Sequence, residues 1–200
     1  NLRIEGHVLE LTSLNKPYWP AIKGQRALTK RDLLIYLASV SPYILPHLKD
    51  RPLTLSRYPH GIQGEQFFQK QWEHNLPAFI ATVSLSSDRE GGSTRYTMCN
   101  NLATLLWLGQ MADLELHTWY SRINPKPDLK MKSAEKISRY PDFMVFDIDP
   151  YIYSGSEKSH EEPQLNRQAF DRARDVARWL KEELDRLTLN SFVKTSGKTG

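Results

Sequence analysis

One octapeptide narrows the choice of fold more than any other part of the chain: Phe143-Met144-Val145-Phe146-Asp147-Ile148-Asp149-Pro150. It is apolar and short, and it ends in two acids one residue apart followed by a proline. Side chains alternate across a strand, so the spacing predicts Val145, Asp147 and Asp149 on one face. Met144, Phe146 and Ile148 take the other, which is expected to be buried. Pro150 stops the strand, because it has no N–H to give to a ladder. A fold that contains this strand must therefore deliver two carboxylates to one place. Oxygen donors so arranged suit a hard divalent cation such as Mg²⁺ or Mn²⁺, and a paired metal site stabilises both the attacking and the leaving oxygen of phosphoryl transfer. Taken alone, the same residues also describe a strand ending in two solvated acids, with Asp149-Pro150 as turn chemistry.

The rest of the chain bounds this choice. At 200 residues it is read as a single domain, residues 1–200, large enough to bury about 70% of its extended surface. With 40% hydrophobic and 25% charged residues, it has the composition of an ordinary globular protein. A formal net charge of +4 and a sequence pI of about 9.1 are compatible with a polyanionic partner. The single cysteine, Cys99, excludes an internal disulfide and a cysteine-based zinc site, and fits a reducing cytosol. The N-terminus has no signal-peptide pattern, and no apolar run approaches the roughly 18 residues of a membrane span. A cytoplasmic location without membrane contact is the expectation.

Along the chain, residues 7–20 begin as a short strand and pass into a Pro-rich loop. Thr29 caps a helix, with Asp32 as its reciprocal partner. Apolar residues from Leu33 to Leu48 recur at helical spacing, and Pro42 and Pro46 are expected to kink or divide that helix. Lys16 and Lys30 flank the loop, and Lys30 stands at the helix N-terminus, where backbone N–H groups and an ammonium make an anion site. Residues 51–59 alternate as a strand with Arg57 near its end. In Phe67-Phe68, one ring is expected in the core and the other exposed, where it could stack on a base. Residues 78–83 and 94–98 read as a hairpin with a polar tip at 86–92. Asn100 or Asn101 caps an apolar helix to about Met111. Residues 114–119 form a strand with Glu115 and His117 on one face. A basic connection covers 121–140, and an amphipathic helix runs from Phe170 to Leu187. Residues 191–195 form a last strand. It leads into Ser196-Gly197-Lys198-Thr199-Gly200, whose composition suits a phosphate cradle but lacks P-loop spacing.

Several of these pieces, in this order, resemble the primase-polymerase domain of ligase D, the non-homologous end-joining enzyme, within the archaeo-eukaryotic primase superfamily. The resemblance rests on Leu11-Thr12-Ser13-Leu14-Asn15-Lys16, on residues 45–54 (LPHLKDRPLT) and on Arg57-Tyr58-Pro59-His60-Gly61. It continues through Phe67-Phe68-Gln69-Lys70, residues 102–107 (LATLLW), Glu115-Leu116-His117, Phe146-Asp147-Ile148-Asp149-Pro150 and Val193-Lys194-Thr195-Ser196-Gly197. It implies an α/β fold of the archaeo-eukaryotic primase type, with mixed or antiparallel sheets and flanking helices around a central cleft.

By the same resemblance Asp147 and Asp149 are the catalytic, metal-binding pair, served by Mn²⁺ or Mg²⁺. Ser196 and Lys198 hold the triphosphate of the incoming nucleotide, with Arg57 and His117 lining that pocket. Lys16 and Lys30 bind a DNA 5′-phosphate, and Phe67 or Phe68 stacks on the template. The tip at 86–92 corresponds to a loop that aligns DNA ends. The implied activity is template-dependent addition of nucleotides, ribonucleotides by preference, to a primer 3′-hydroxyl at gaps and broken ends. The implied partners are DNA ends or gapped DNA with a 5′-phosphate, nucleoside triphosphates, Ku and a ligase activity, in a nucleoid-associated setting.

Two departures stand out. The family commonly has Ser-Gly-Gly-Lys-Gly where this chain places its lysine one residue earlier, at Lys198. Its further histidine, strands and third metal-binding aspartate do not occur by Gly200, so the domain is read as C-terminally incomplete and residues 1–200 alone are expected to show little polymerase activity. The alternative reading is a DNA-end binding module that uses Lys16, Lys30 and Phe67/Phe68 without chemistry. A glycosyltransferase, which also uses an Asp-x-Asp metal site, is disfavoured by the Ser-Gly-Lys turn and the two lysines.

Overall fold

The structure is a computed structural model, and it describes residues 1–72, 75–87, 92–123, 141–150 and 167–194. The chain divides into two units, Asn1–Met144 and Val145–Gly200. The basic connection from residue 124 onward, the centre of the hairpin tip at 88–91 and the turn at 195–200 lie outside the described residues.

In the first unit, β1 (Leu2–Ile4) and β2 (His7–Leu9) form one antiparallel pair, and β3 (Pro17–Trp19) and β4 (Leu28–Thr29) another. Helix α1 (Lys30–Leu48) follows at once. Its capping box forms as the spacing predicts: Thr29 N–H donates to Asp32 Oδ2 at 2.7 Å and Asp32 N–H to Thr29 Oγ1 at 3.4 Å. Of the expected kink or division, the division does not occur: both Pro42 and Pro46 lie inside one continuous helix. Pro42 cannot donate to the carbonyl of Ala38. The Ser41 hydroxyl donates to that carbonyl instead, at 2.8 Å. Near the other end, Arg122 donates to the carbonyls of Pro46 and Lys49, groups that a helix terminus leaves without intrahelical partners.

The main sheet is organised around β5 (Pro52–Arg57). One edge of β5 pairs along its length with β9 (Asp113–Thr118). The other edge is shared between β8 (Gly92–Met98), which pairs at Pro52 and Leu53, and β6 (Phe67–Gln69), which pairs at Leu55 to Arg57. The hairpin partner of β8 is β7 (Ala81–Ser87). Every pairing is antiparallel. Leu53 and Leu55 point into the core against α2 (Leu102–Gln110), whose Leu105, Leu106 and Leu108 are buried. Asn101 caps α2 by accepting from Thr104 N–H at 2.8 Å. Gly109 lets α2 approach α1 closely: a Cβ there would stand 2.6 Å from Leu37 Cδ1 and 3.1 Å from Leu34 Cδ2.

The second unit contains α3 (Arg167–Arg186), an amphipathic helix braced by the exposed pairs Arg174–Asp171, Lys181–Asp185 and Arg186–Glu183. It ends in a Schellman-type turn with Thr188 at φ 56° and Leu189 N–H donating to Leu184 O. Two sequence expectations fail here. Residues 143–149 and 191–194 carry no ladder, and Met144, Phe146, Phe192 and Val193 are exposed. Alternating apolar residues become a buried strand only when a neighbouring strand satisfies their backbone. Among the described residues both edges of β5 are already taken, and no other strand pairs with either segment.

Candidate functional site

The register of β5 against β9 places Ser56 opposite Glu115 and Thr54 opposite His117. Paired residues share a face, so these four lie together on the side of the sheet away from Leu53 and Leu55. Phe68 pairs with Ser56 and joins them, its ring centroid 6.0 Å from that of His117. His117 Nε2 lies 3.2 Å from Glu115 Oε2 and 3.1 Å from Ser56 Oγ. A carboxylate only accepts, so the bond to Glu115 places a proton on Nε2. The Tyr58 hydroxyl donates to Glu115 Oε1 at 2.8 Å. Burial alone would raise Glu115, but the bonds from Tyr58, Ser56 and His117 outweigh it and hold the carboxyl below its usual range. Partial burial, helped by the same bond, pushes the Tyr58 phenol up to about 12. Glu115 thus stays ionised and fixes the imidazole from one side.

Arg57 takes the opposite face, and the structure does not bring it to His117. Its guanidinium donates to the Met111 carbonyl at 3.1 and 3.2 Å and to Gln69 Oε1 at 3.3 Å, and stands 4.7 Å over the Trp72 ring. Alternation is the reason: Ser56 faces the polar side, so its neighbour turns inward. Behind Arg57 lies Asp113, whose two carboxylate oxygens are buried without a hydrogen-bond donor among the described residues. Arg57 Nε is 3.7 Å from Asp113 Oδ1. Burial pushes the Asp113 carboxyl up to about 8, with Arg57 pulling the other way.

Lys30 is not a solvated lysine. It is only 6% exposed, and its ammonium lies 5.9 Å from the centre of the buried Tyr18 ring. Burial, and then the charge of Lys16, lower its pKa. The helix-terminus part of the expected anion site is corrected. Lys30 N–H donates to Lys16 O and Arg31 N–H to Leu14 O, both at 2.9 Å, while Asp32 N–H is held by Thr29. The first amides of α1 are thus used by the loop that carries Lys16, and the two ammonium groups are near enough for the charge of Lys16 to act on Lys30. Gly61 supports that loop at φ 80°, where a Cβ would stand 2.8 Å from Tyr18 O.

Phe67 and Phe68 are both exposed, at 45% and 64%, so neither is the expected core ring. Strand β6 lies at the margin of the sheet, and Trp72 fills the neighbouring core position. Phe68 shares the His117 face, whereas Phe67 pairs with Arg57 on the other.

In the second unit Asp147 and Asp149 are exposed, and neither has an ion pair or hydrogen bond among the described residues. Asp149 and Ile148 line a shallow cavity of about 390 Å³ together with Gln168, Ala169, Arg172 and Ala173 of α3. Two unpaired carboxylates fit a hard divalent cation that keeps several waters or takes phosphate oxygens as its remaining ligands. Among the described residues no cluster of three or more His, Cys, Asp or Glu adds to them. Ser196 and Lys198 lie outside the described residues.

Residues 29–200 match the family described as the LigD primase-polymerase domain. The chain is 33% identical over 192 residues to the bifunctional non-homologous end joining protein LigD of Bacillus subtilis, covering 96% of this chain and 25% of that protein. It is 27% identical over 210 residues to the multifunctional LigD of Mycolicibacterium smegmatis, covering 94% and 27%. Among solved structures it is similar to the polymerase domain of Mycobacterium tuberculosis ligase D in complex with DNA, with TM-score 0.54 and 30% identity over 61% of this chain and 40% of that one. The chain spans about a quarter of the length of these curated relatives.

Proposed function

The chain belongs to the LigD primase-polymerase domain family, and from that premise we propose that it serves as a template-dependent nucleotidyltransferase. It adds nucleotides, ribonucleotides by preference, to a primer 3′-hydroxyl at DNA gaps and broken ends during non-homologous end joining. Supporting this reading most strongly is the pair of exposed carboxylates at Asp147 and Asp149, two residues apart and without a partner among the described residues.

In this reading Asp147 and Asp149 hold Mn²⁺ or Mg²⁺. When bound, the metal supplies positive charge at the attacking and leaving oxygens of phosphoryl transfer. His117, held by Glu115 and Ser56 through Nε2, lines the triphosphate pocket, and Ser196 and Lys198 bind the same group. Lys16 and Lys30 recognise the 5′-phosphate across the gap. Phe68 stacks on the template, because it stands on the His117 face. Arg57 acts instead as a tie between β5, β6 and the end of α2. Ku and a ligase activity act nearby.

The test is primer extension on gapped DNA with a 5′-phosphate, using each nucleoside triphosphate with Mn²⁺, with Mg²⁺ and with a chelator. Metal-dependent addition of the nucleotide complementary to the template supports the proposal. Tight binding of the 5′-phosphorylated gap without any extension would instead support a DNA-end binding module, the reading that the geometry at Lys16 and Lys30 favours second.

A further inference from the structure

Strand β6 is three residues long and, among the described residues, pairs with β5 alone. So short a pairing is weak by itself, yet β6 carries Phe68, the ring proposed to stack on the template. The register shows which side can hold it. Gln69 pairs with Leu55 and Phe68 with Ser56, so Gln69 turns to the core side and Phe68 to the His117 side.

One guanidinium gathers the core side. Arg57 Nη1 donates to Gln69 Oε1 at 3.3 Å, while Nε and Nη2 donate to the Met111 carbonyl, just past α2, at 3.2 and 3.1 Å. The same group lies 4.7 Å over the ring of Trp72, in the chain that leaves β6. Trp72 is buried, packs edge-on against Trp107 of α2 at 4.8 Å, and accepts at its carbonyl from Arg95 of β8 at 3.2 Å. Gln69 Nε2 donates to Gln71 O at 2.9 Å, which fixes the amide from its other side. The Asp113 carboxylate stands beyond hydrogen-bond reach, 3.7 Å from Arg57 Nε, so the fork spends its N–H groups on these two neutral acceptors. We infer that Arg57 is a positioning residue for Phe68: by holding Gln69 and Trp72 on the core side, it sets the Phe68 ring on the His117 face at the angle a template base needs. Every residue in these contacts belongs to the first unit. The inference rests on the proposed function only in taking Phe68 as the stacking ring.

Arg57→Lys keeps the charge but gives up the planar fork, which one ammonium cannot replace at two acceptors and a ring face. In the intact protein, binding to a duplex with a single-stranded template overhang, followed by fluorescence titration, should weaken roughly 3- to 10-fold, part of the stack that Phe68→Ala removes altogether. Binding to a blunt 5′-phosphorylated duplex, which offers no unpaired base, should stay within about twofold. The slope of log affinity against log salt should not change, since no cation is lost. The deciding measurement is a double-mutant cycle: in the Phe68→Ala background, Arg57→Lys should cost less than about 1.5-fold on the overhang. A merely structural role would lower thermal stability and weaken both DNAs alike, in both backgrounds. Gln69→Leu, at a half-buried side chain, is the second variant in case Arg57→Lys fails to fold, and it should show the same pattern more weakly. Additive losses in the cycle, equal losses on overhang and blunt DNA, or unchanged overhang binding overturn the inference and leave the stacking role of Phe68 standing. If Phe68→Ala itself leaves overhang binding unchanged, that stacking role falls, and the positioning role falls with it.

Discussion

Replacing Lys16 by Ala and Lys30 by Met tests how this chain would recognise a DNA end. Methionine is chosen at position 30 because it keeps an unbranched apolar stem beside Tyr18 and removes only the charge. The magnitude follows from which groups remain available. The first amides of α1 already donate to Lys16 O, Leu14 O and Thr29 Oγ1, so the helix terminus adds no direct hydrogen bonds to a phosphate. Two ammonium groups are left, one of them buried. Charge-assisted hydrogen bonds from the pair should contribute roughly 1–3 kcal/mol together, a 5- to 150-fold change in affinity. A terminal phosphate carries up to two charges and counters the burial and the Lys16 repulsion that lower Lys30, so it gains more than an internal phosphodiester does. The assay is a titration of both proteins with gapped DNA carrying a 5′-phosphate or a 5′-hydroxyl, at several salt concentrations. Binding to the phosphorylated gap should weaken by that factor and binding to the hydroxyl form much less. The slope of log affinity against log salt should drop by about one to two, near 0.9 for each phosphate charge that the variant no longer neutralises. Equal weakening on both DNAs would show the lysines to be part of a general basic surface and refute the end-recognition role.

Asp113→Asn should change how stability depends on pH. The native carboxyl, pushed up to about 8 by burial, keeps a proton that the unfolded chain releases near its ordinary pKa. Its stabilising contribution is therefore full below about pH 4 and is lost as pH rises through about 8, with a slope no steeper than about 1.4 kcal/mol per pH unit. Denaturant unfolding between pH 5 and 8.5 should show stability falling in the native protein relative to the variant, and parallel curves would refute the buried-acid account. Phe68→Ala should weaken binding to a single-stranded template overhang by roughly 1–3 kcal/mol, the value of one base–aromatic stack. Phe67→Ala, on the other face of β6, should cost clearly less in the same fluorescence titration, and the reverse order would show that the faces are misassigned.

Local chemistry was the most legible part of the sequence. The Thr29/Asp32 box, the Asn101 cap, the hairpin of β7 and β8 and the shared face of Glu115 and His117 all follow from spacing within a few residues, and all form, except that the hairpin ladder runs on through Ser86, Ser87 and Gly92, which the polar composition had placed in the tip. Long-range register was not legible. Nothing local says that Ser56 pairs with Glu115, so the Tyr58–Glu115–His117–Ser56 network and the inward turn of Arg57 emerge only when β5 and β9 align. Asp113 escaped because it opens β9 at a bulge in the ladder, where period-two patterning is uninformative. The residues around Asp147 and those at 191–194 have the alternation of strands. Alternation states a preference for a sheet face and cannot supply the partner strand. The lysines show a third case: their proximity was readable from the loop, but the use of the α1 amides by Lys16 O and Leu14 O depends on how that loop folds back.

The central claim is that Asp147 and Asp149 carry metal-dependent nucleotide addition. Its most direct test compares the intact protein with Asp147→Ala and Asp149→Ala on a primed, 5′-phosphorylated gap, with nucleotide addition and DNA binding measured at several Mn²⁺ concentrations. The account predicts that each substitution abolishes addition at every metal concentration while DNA affinity changes by less than about twofold. Extension at the unsubstituted rate by both variants would contradict it.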